Sequence, residues 1–234
     1  MGEIIGFQAE IQATDTKYVG FSANIQPKKF VEHPDLENRN NEAVKRLGSP
    51  IHIIRGDLIV ESYAIISPLQ RISSPKTLQL IRAAWFMTQV DVQGGDYILD
   101  LNQNVQYLYL AQNELEQEGE VVGIRSIIEK CNHVITVFRY VETPTGYGGV
   151  VQKFEMVKKG IPVGIEFIRP GLREAEPGYF KDSTHRMYVP ASVGLEILDR
   201  IQIMSDLFQI DDIDTVTFPG THQCTLCRDR RQSD

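Results

Sequence analysis

Three glycines crowd into the five residues Thr145-Gly146-Tyr147-Gly148-Gly149. Glycine permits positive φ and lets main-chain N–H groups approach a ligand closely. A helix starting near Gly149 would aim its free N–H groups and positive dipole end at the same spot. An anion, phosphate above all, suits such a place. Tyr147 carries a ring that can stack on a base or cover its own loop. Two carboxylates are candidates for chemistry beside it. Asp100 closes the apolar stretch Tyr97–Leu101, and Glu155 lies about one helical turn beyond Gln152. A carboxylate stabilises positive charge that develops beside it as a bond breaks. Ser67, Asn102 and Gln152 add polar contacts. Asn102 equally suits the N-cap of a helix beginning near Asn104, and Ser67 a turn before Pro68.

The other chemistry-bearing residues form weaker patterns. His222-x-Cys224-x-x-Cys227 has the spacing of half a zinc site. A structural site needs four ligands, and Cys131 and His133 straddle a helix end and a strand start, so no metal is expected. Three cysteines in the whole chain do not make a secreted disulfide framework. His33, His52 and His185 have no partner spacing. Arg169 and Arg173 read as solvated charges.

These residues need a scaffold. Residues 1–26 alternate as a β-hairpin: Phe7, Ala9 and Ile11, then Val19, Phe21, Ala23 and Ile25, with Asp15 in the turn. A charged connection with a short helix over 42–47, ended by Gly48, completes residues 1–49. From residue 50 the apolar stretches alternate in type. Strands are expected at 51–54, 58–67, 97–101, 133–138 and 163–168. Helical stripes are expected over 78–85 (Leu78, Ile81, Ala84, Trp85), 105–115, 124–128, 150–157 and 195–204. Ser74-Pro75 reads as an N-cap with proline at the first helical position, and Gly160 as a helix C-cap before Pro162. Strands alternating with helices imply an α/β fold: a Rossmann-like parallel sheet with helices on both faces, spanning 50–210, plus the N-terminal β-hairpin. Residues 211–234 are expected to be a C-terminal strand and a polar, mobile tail.

Within that frame Asn132-His133-Val134-Ile135, the glycine loop and Gly160-Ile161-Pro162-Val163 occur in a telling order. They resemble the Rossmann-like superfamily of nucleoside deoxyribosyltransferases and "lonely guy" nucleotide-binding proteins over residues 60–168. Pro144 to Gln152 (PTGYGGVVQ) is similar to the Pro-Gly-Gly-x-Gly-Thr-x-x-Glu loop, and Tyr63 to Pro68 to the first strand and substrate loop. The resemblance implies a nucleotide ligand held by Gly146, Gly148 and Gly149, and chemistry at an N-glycosidic bond. Gln152 stands where that family carries its glutamate, and an amide neither forms a glycosyl ester nor takes a proton as a base.

Net charge −7 over 234 residues disfavours general nucleic-acid binding. No apolar run is long enough to span a membrane, and the N-terminus lacks a signal-peptide pattern, so a cytoplasmic setting is expected. The expected partner is a small nucleotide or nucleoside, with no cofactor and with self-association. Three functions remain open: a hydrolase or transferase at an N-glycosidic bond; a non-catalytic nucleotide-signal sensor, which Gln152 favours; and an assembly protein using the hairpin edge.

Overall fold

The computed structural model describes residues 4–12, 20–28, 34–68, 80–87, 90–117, 120–144, 150–168 and 182–231. The hairpin strands β1 (Ile4–Gln12) and β2 (Gly20–Lys28) pair antiparallel as a two-stranded sheet. A helix follows, α1 (Pro34–Leu47), and it packs on the first of the barrels described next. The Gly48 N–H closes it on the Val44 carbonyl at 2.8 Å.

Among the described residues after α1, the regular elements are β-strands and one short 3-10 turn. β3 (Ser49–Arg55), β4 (Leu58–Pro68), β5 (Ile81–Phe86), β6 (Tyr97–Asp100), β7 (Val105–Gln117) and β8 (Glu120–Lys130) close into a barrel in the order β3-β4-β5-β8-β7-β6. A second barrel follows at once. It comprises β9 (His133–Pro144), β10 (Val150–Phe167), β11 (His185–Pro190), β12 (Arg200–Ile203), β13 (Asp206–Asp214) and β14 (Thr221–Arg228), in the order β10-β11-β14-β13-β12-β9. Closing a sheet on itself removes its edges, and barrels of this size are filled by their own inward side chains. Ile51, Ile53, Ala64, Ile98, Tyr107, Tyr109 and Ile128 fill the first barrel. Ile135, Val137, Val163, Met187, Val189, Ile201, Ile210, Cys224 and Leu226 fill the second.

The α/β expectation is overturned, and the resemblance to the deoxyribosyltransferase and lonely-guy superfamily falls with it. That fold needs parallel strands joined by helical crossovers. Here every strand pair among the described residues is antiparallel. The segments expected as strands are strands, in β3, β4, β6, β9 and the end of β10. The described parts of the segments expected as helices are strands as well, in β5, β7, β8 and the start of β10. The last one, 195–204, contributes β12 instead, after a 3-10 turn at Ala191–Val193. The Ser74-Pro75 cap lies outside the described residues.

The physical reason is burial on two faces. In β7, Tyr107 and Tyr109 point into the barrel while Leu108 and Leu110 point out, against Tyr188 of the second barrel. In β8, Ile128 is core and Ile127 joins the same outer cluster. A strand apolar on both faces loses its alternation, and adjacent apolar pairs then mimic helical spacing. Gly160 is no helix cap. It sits at φ +78° where the β9–β10 register shifts between Lys159 and Ile161, a bulge position. The tail is not mobile over 221–228. It is β14, with Cys224 and Leu226 in the core. Among the described residues no helix is long and apolar enough to cross a membrane.

Candidate ligand-binding cleft between the barrels

β10 and β11 of the second barrel lie against β7 and β8 of the first. Leu108, Leu110 and Tyr188 form the apolar centre of this seam, with Tyr97, Ile127, Cys131 and Phe218 packed on it. Polar contacts cross it as well. The Tyr97 hydroxyl donates to the Pro162 carbonyl at 2.8 Å, and the Thr221 hydroxyl donates to the Tyr109 carbonyl at 3.2 Å. Burial, and then the nearby Cys131, push the Tyr97 phenol above its usual range.

A cleft of about 680 Å³ opens where this seam meets solvent. Its first wall is the β3–β4 turn, Ile54 to Gly56, and the loop Gln93 to Tyr97. Its second wall is the β10 bulge, Lys158 and Gly160 to Pro162, with Pro190 to Val193 beyond it. Gly94, Gly95 and Gly220 close the back, their backbones touching directly. A Cβ on Gly95 would lie 2.3 Å from the Gly220 carbonyl oxygen.

The charges are arranged asymmetrically. Arg55 lays a two-pronged bond on the buried Asp96, Nε and Nη2 each at 2.8 Å, and reaches Asp91 at 3.2 Å. The Asp96 bond, opposed by partial burial and aided by Asp91, raises the Arg55 guanidinium further above its ordinary value. Asp91 is lowered by its bonds from Arg55 and Gln93. Asp96 also accepts the Gln93 N–H at 2.8 Å, so it organises the loop. On the opposite wall the exposed Lys158 donates to the Ser192 carbonyl at 2.8 Å, without a carboxylate in that bond. Arg55→Ala is expected to cost about 3 kcal/mol, because it strands a buried carboxylate. Urea denaturation measures this, and a loss below about 1 kcal/mol would show that Asp96 does not depend on Arg55.

The residues singled out from the sequence do not converge on this cleft. Gly146, Tyr147, Gly148 and Gly149 lie outside the described residues, as do Arg169 and Arg173. The helix meant to present its N-terminus to that loop is the strand β10, so the dipole argument lapses. Gln152 is a backbone partner of Glu142 in β10. Glu155 is exposed on β10 and pairs with Lys153 at 2.6 Å. Asp100 is sealed at the end of β6 in the other barrel. Its Oδ1 accepts the N–H groups of Asn102 and Gln103 at 2.9 and 3.2 Å, while its buried Oδ2 has no hydrogen-bond partner. Asn102 is exposed in the turn that Asp100 organises. Ser67 ends β4, its hydroxyl donating to the Pro68 carbonyl at 3.4 Å. Cys224 points into the core, and Cys227, three residues along the same strand, points to the other face near Asp211. No group of three metal-ligating side chains occurs among the described residues. Sequence reading missed Arg55, Lys158 and Gly220. The pair Gly94-Gly95, directly ahead of a buried aspartate and a strand, was the available signal.

Fold and cleft together define an all-β protein of two tandem six-stranded barrels with a ligand-sized cleft at their seam. No family model matches the chain, and no curated protein matches it. Among solved structures, K. pneumonia MrkH in its apo state aligns over 85% of both chains at 7% identity and TM-score 0.17. A structure described as "MrkH, A novel c-di-GMP dependence transcription regulatory factor" covers 85% of this chain and 84% of that one, at 7% identity and TM-score 0.19.

Proposed function

We propose that this protein is a non-catalytic sensor that binds a small anionic molecule of nucleotide size in the inter-barrel cleft. The observation that carries the reading is that both barrels contribute walls to one cleft of about 680 Å³. Ligand sites concentrate at such junctions, in volumes of roughly 300–1,000 Å³, with mostly apolar walls and a few fixed polar groups. Ile54, Ile161, Pro162 and Val193 supply the apolar wall; Lys158 supplies positive charge, that of Arg55 being matched by Asp96 and Asp91. A ligand that touches both barrels favours one arrangement of them, and differential affinity of that kind makes a sensor.

The hydrolase or transferase reading is withdrawn, because the Rossmann-like sheet on which it rested is absent. Among the described residues the carboxylate lining the cleft is Asp96, and it is held by Arg55 and the Gln93 N–H.

Calorimetric titration with mono- and dinucleotides tests the proposal. A saturating ligand at a hundred times its Kd stabilises the fold by about 2.7 kcal/mol, which a thermal melt detects. Chromatography should recover the ligand intact. Lys158→Ala should weaken binding about tenfold, the loss of one charge-assisted hydrogen bond. Failure of every nucleotide to bind, or recovery of cleaved product, would sink the proposal.

A further inference from the structure

The seam contains an ionisable group that the cleft does not use. Glu129, on β8, is 1% exposed and points out of the first barrel toward the second. Its Oε2 is buried and has no hydrogen-bond partner. The space for it is made by a missing side chain. A Cβ on Gly164 of β10 would lie 2.3 Å from Glu129 Oε1 and 2.6 Å from its Cδ. Charged and titratable groups face it from each element packed there: Glu166 on β10, Arg186 on β11, and Cys131 just beyond its own strand. Arg186, the cation that faces it, also forms an ion pair with Glu166.

We propose that Glu129 is a proton-dependent latch on the barrel seam: with its proton it packs as a neutral group between the barrels, and as a carboxylate it pushes them apart. The energetic grounds are direct. An ionised carboxylate with a buried oxygen left unbonded is costly, and Glu166 beside it repels the charge. Burial first, and Glu166 second, raise Glu129 well above the ordinary carboxyl range, against the pull of Arg186. Burial and the Glu129 charge raise the Cys131 thiol in the same way. A carboxyl raised in the folded state contributes stability that is complete below its unfolded value. That contribution is lost as pH rises through the folded value. His185, lowered by burial, acts in the opposite sense below neutral pH, so a difference between two variants is the proper readout.

The test compares melting temperatures of the full chain and Glu129→Gln between pH 5 and pH 8.5. Glutamine keeps the shape and cannot ionise. The expected result is a gap that widens with pH, with Glu129→Gln melting several degrees higher at pH 8. Small-angle scattering should show the unmodified chain expanding between those pH values and Glu129→Gln unchanged. Parallel melting curves, or a variant less stable at pH 8, would overturn the proposal. A second pair of variants tests the contact itself should glutamine fail to fold. Gly164→Ala should lower the melting temperature sharply in the unmodified chain and much less in a Glu129→Ala background. Equal drops in both would show that Glu129 does not occupy the space over Gly164. Neither readout involves a ligand, so this inference stands or falls separately from the sensor reading.

Discussion

Gly220→Ala is expected to remove about 3 kcal/mol of stability, a large share of the 5–15 kcal/mol typical of a folded domain. Gly220 has φ +81°, where an L-residue pays roughly 1–2 kcal/mol. Its added Cβ would also lie 2.2 Å from the Gly94 carbonyl oxygen and 2.7 Å from the carbonyl carbon. Those are backbone atoms, so relief requires moving one barrel relative to the other, which adds about 1–3 kcal/mol. The movement would also disturb the Thr221–Tyr109 hydrogen bond and the packing of Phe218 on Tyr188, whose rings sit 5.8 Å apart. Gly56→Ala is the matched control. It shares the positive φ, at +60°, but has nothing within 4 Å of its Cβ position, so only the backbone penalty of about 1 kcal/mol applies. Denaturant midpoints of the two variants settle the matter: equal midpoints would mean the barrels do not meet at Gly94 and Gly220.

Asp229→Ala should be comparably damaging, by about 3–5 kcal/mol, through electrostatics rather than shape. The Asp229 side chain is fully buried and receives Arg200 Nε at 2.5 Å, Arg231 Nε at 2.9 Å and the Arg231 backbone N–H at 2.9 Å. Arg200 is itself almost fully buried and lies 3.6 Å above the Phe154 ring centroid, with Arg231 at 4.9 Å from the same ring. Alanine would leave the Arg200 charge buried without its counter-ion. Arg231→Ala should cost only about 1 kcal/mol, since that side chain is partly exposed and Arg200 would keep its partner. The same cluster predicts a pH effect. Burial pushes Asp229 up, but the Arg231 and Arg200 bonds overcome it and hold the carboxyl at about 2, below the usual 3.8. A carboxyl lowered in the folded state stabilises above its unfolded value. Its contribution is therefore lost as pH falls from about 4 toward 2. Asp214 and Asp91 are lowered too and act in the same direction. The acid-melting curve of Asp229→Ala, subtracted from that of the unmodified chain, isolates the Asp229 share. Identical acid slopes for the two proteins would show that Asp229 is not held down by the arginines.

The Arg200–Asp229 pair shows why much of the structure was illegible in one dimension. Its members stand 29 positions apart, and Arg55 and Asp96 stand 41 apart. No local spacing rule joins such residues, because antiparallel neighbours are matched by register. The glycine-rich loop drew attention because its signal is local. The pair Gly94-Gly95 has the weaker motif, yet its backbone meets Gly220 directly.

Local chemistry alone decided several features of this protein. Alternation in Ile51–Ile54 and Phe7–Ile11 marks strands, Gly48 ends a helix, and the Asp100 side chain organises the turn after it. These follow from periods and caps that act within a few residues. Tertiary structure alone decided that β7, β8 and β10 are strands, that they pair antiparallel, and that they close into two barrels rather than one open sheet. Leu108 and Leu110 are apolar because a second barrel covers them, and Gly164 is bare because Glu129 needs its space. Such residues answer to partners that chain order does not reveal. Where both faces of a strand are buried, the pattern that would announce it is erased by the packing that stabilises it.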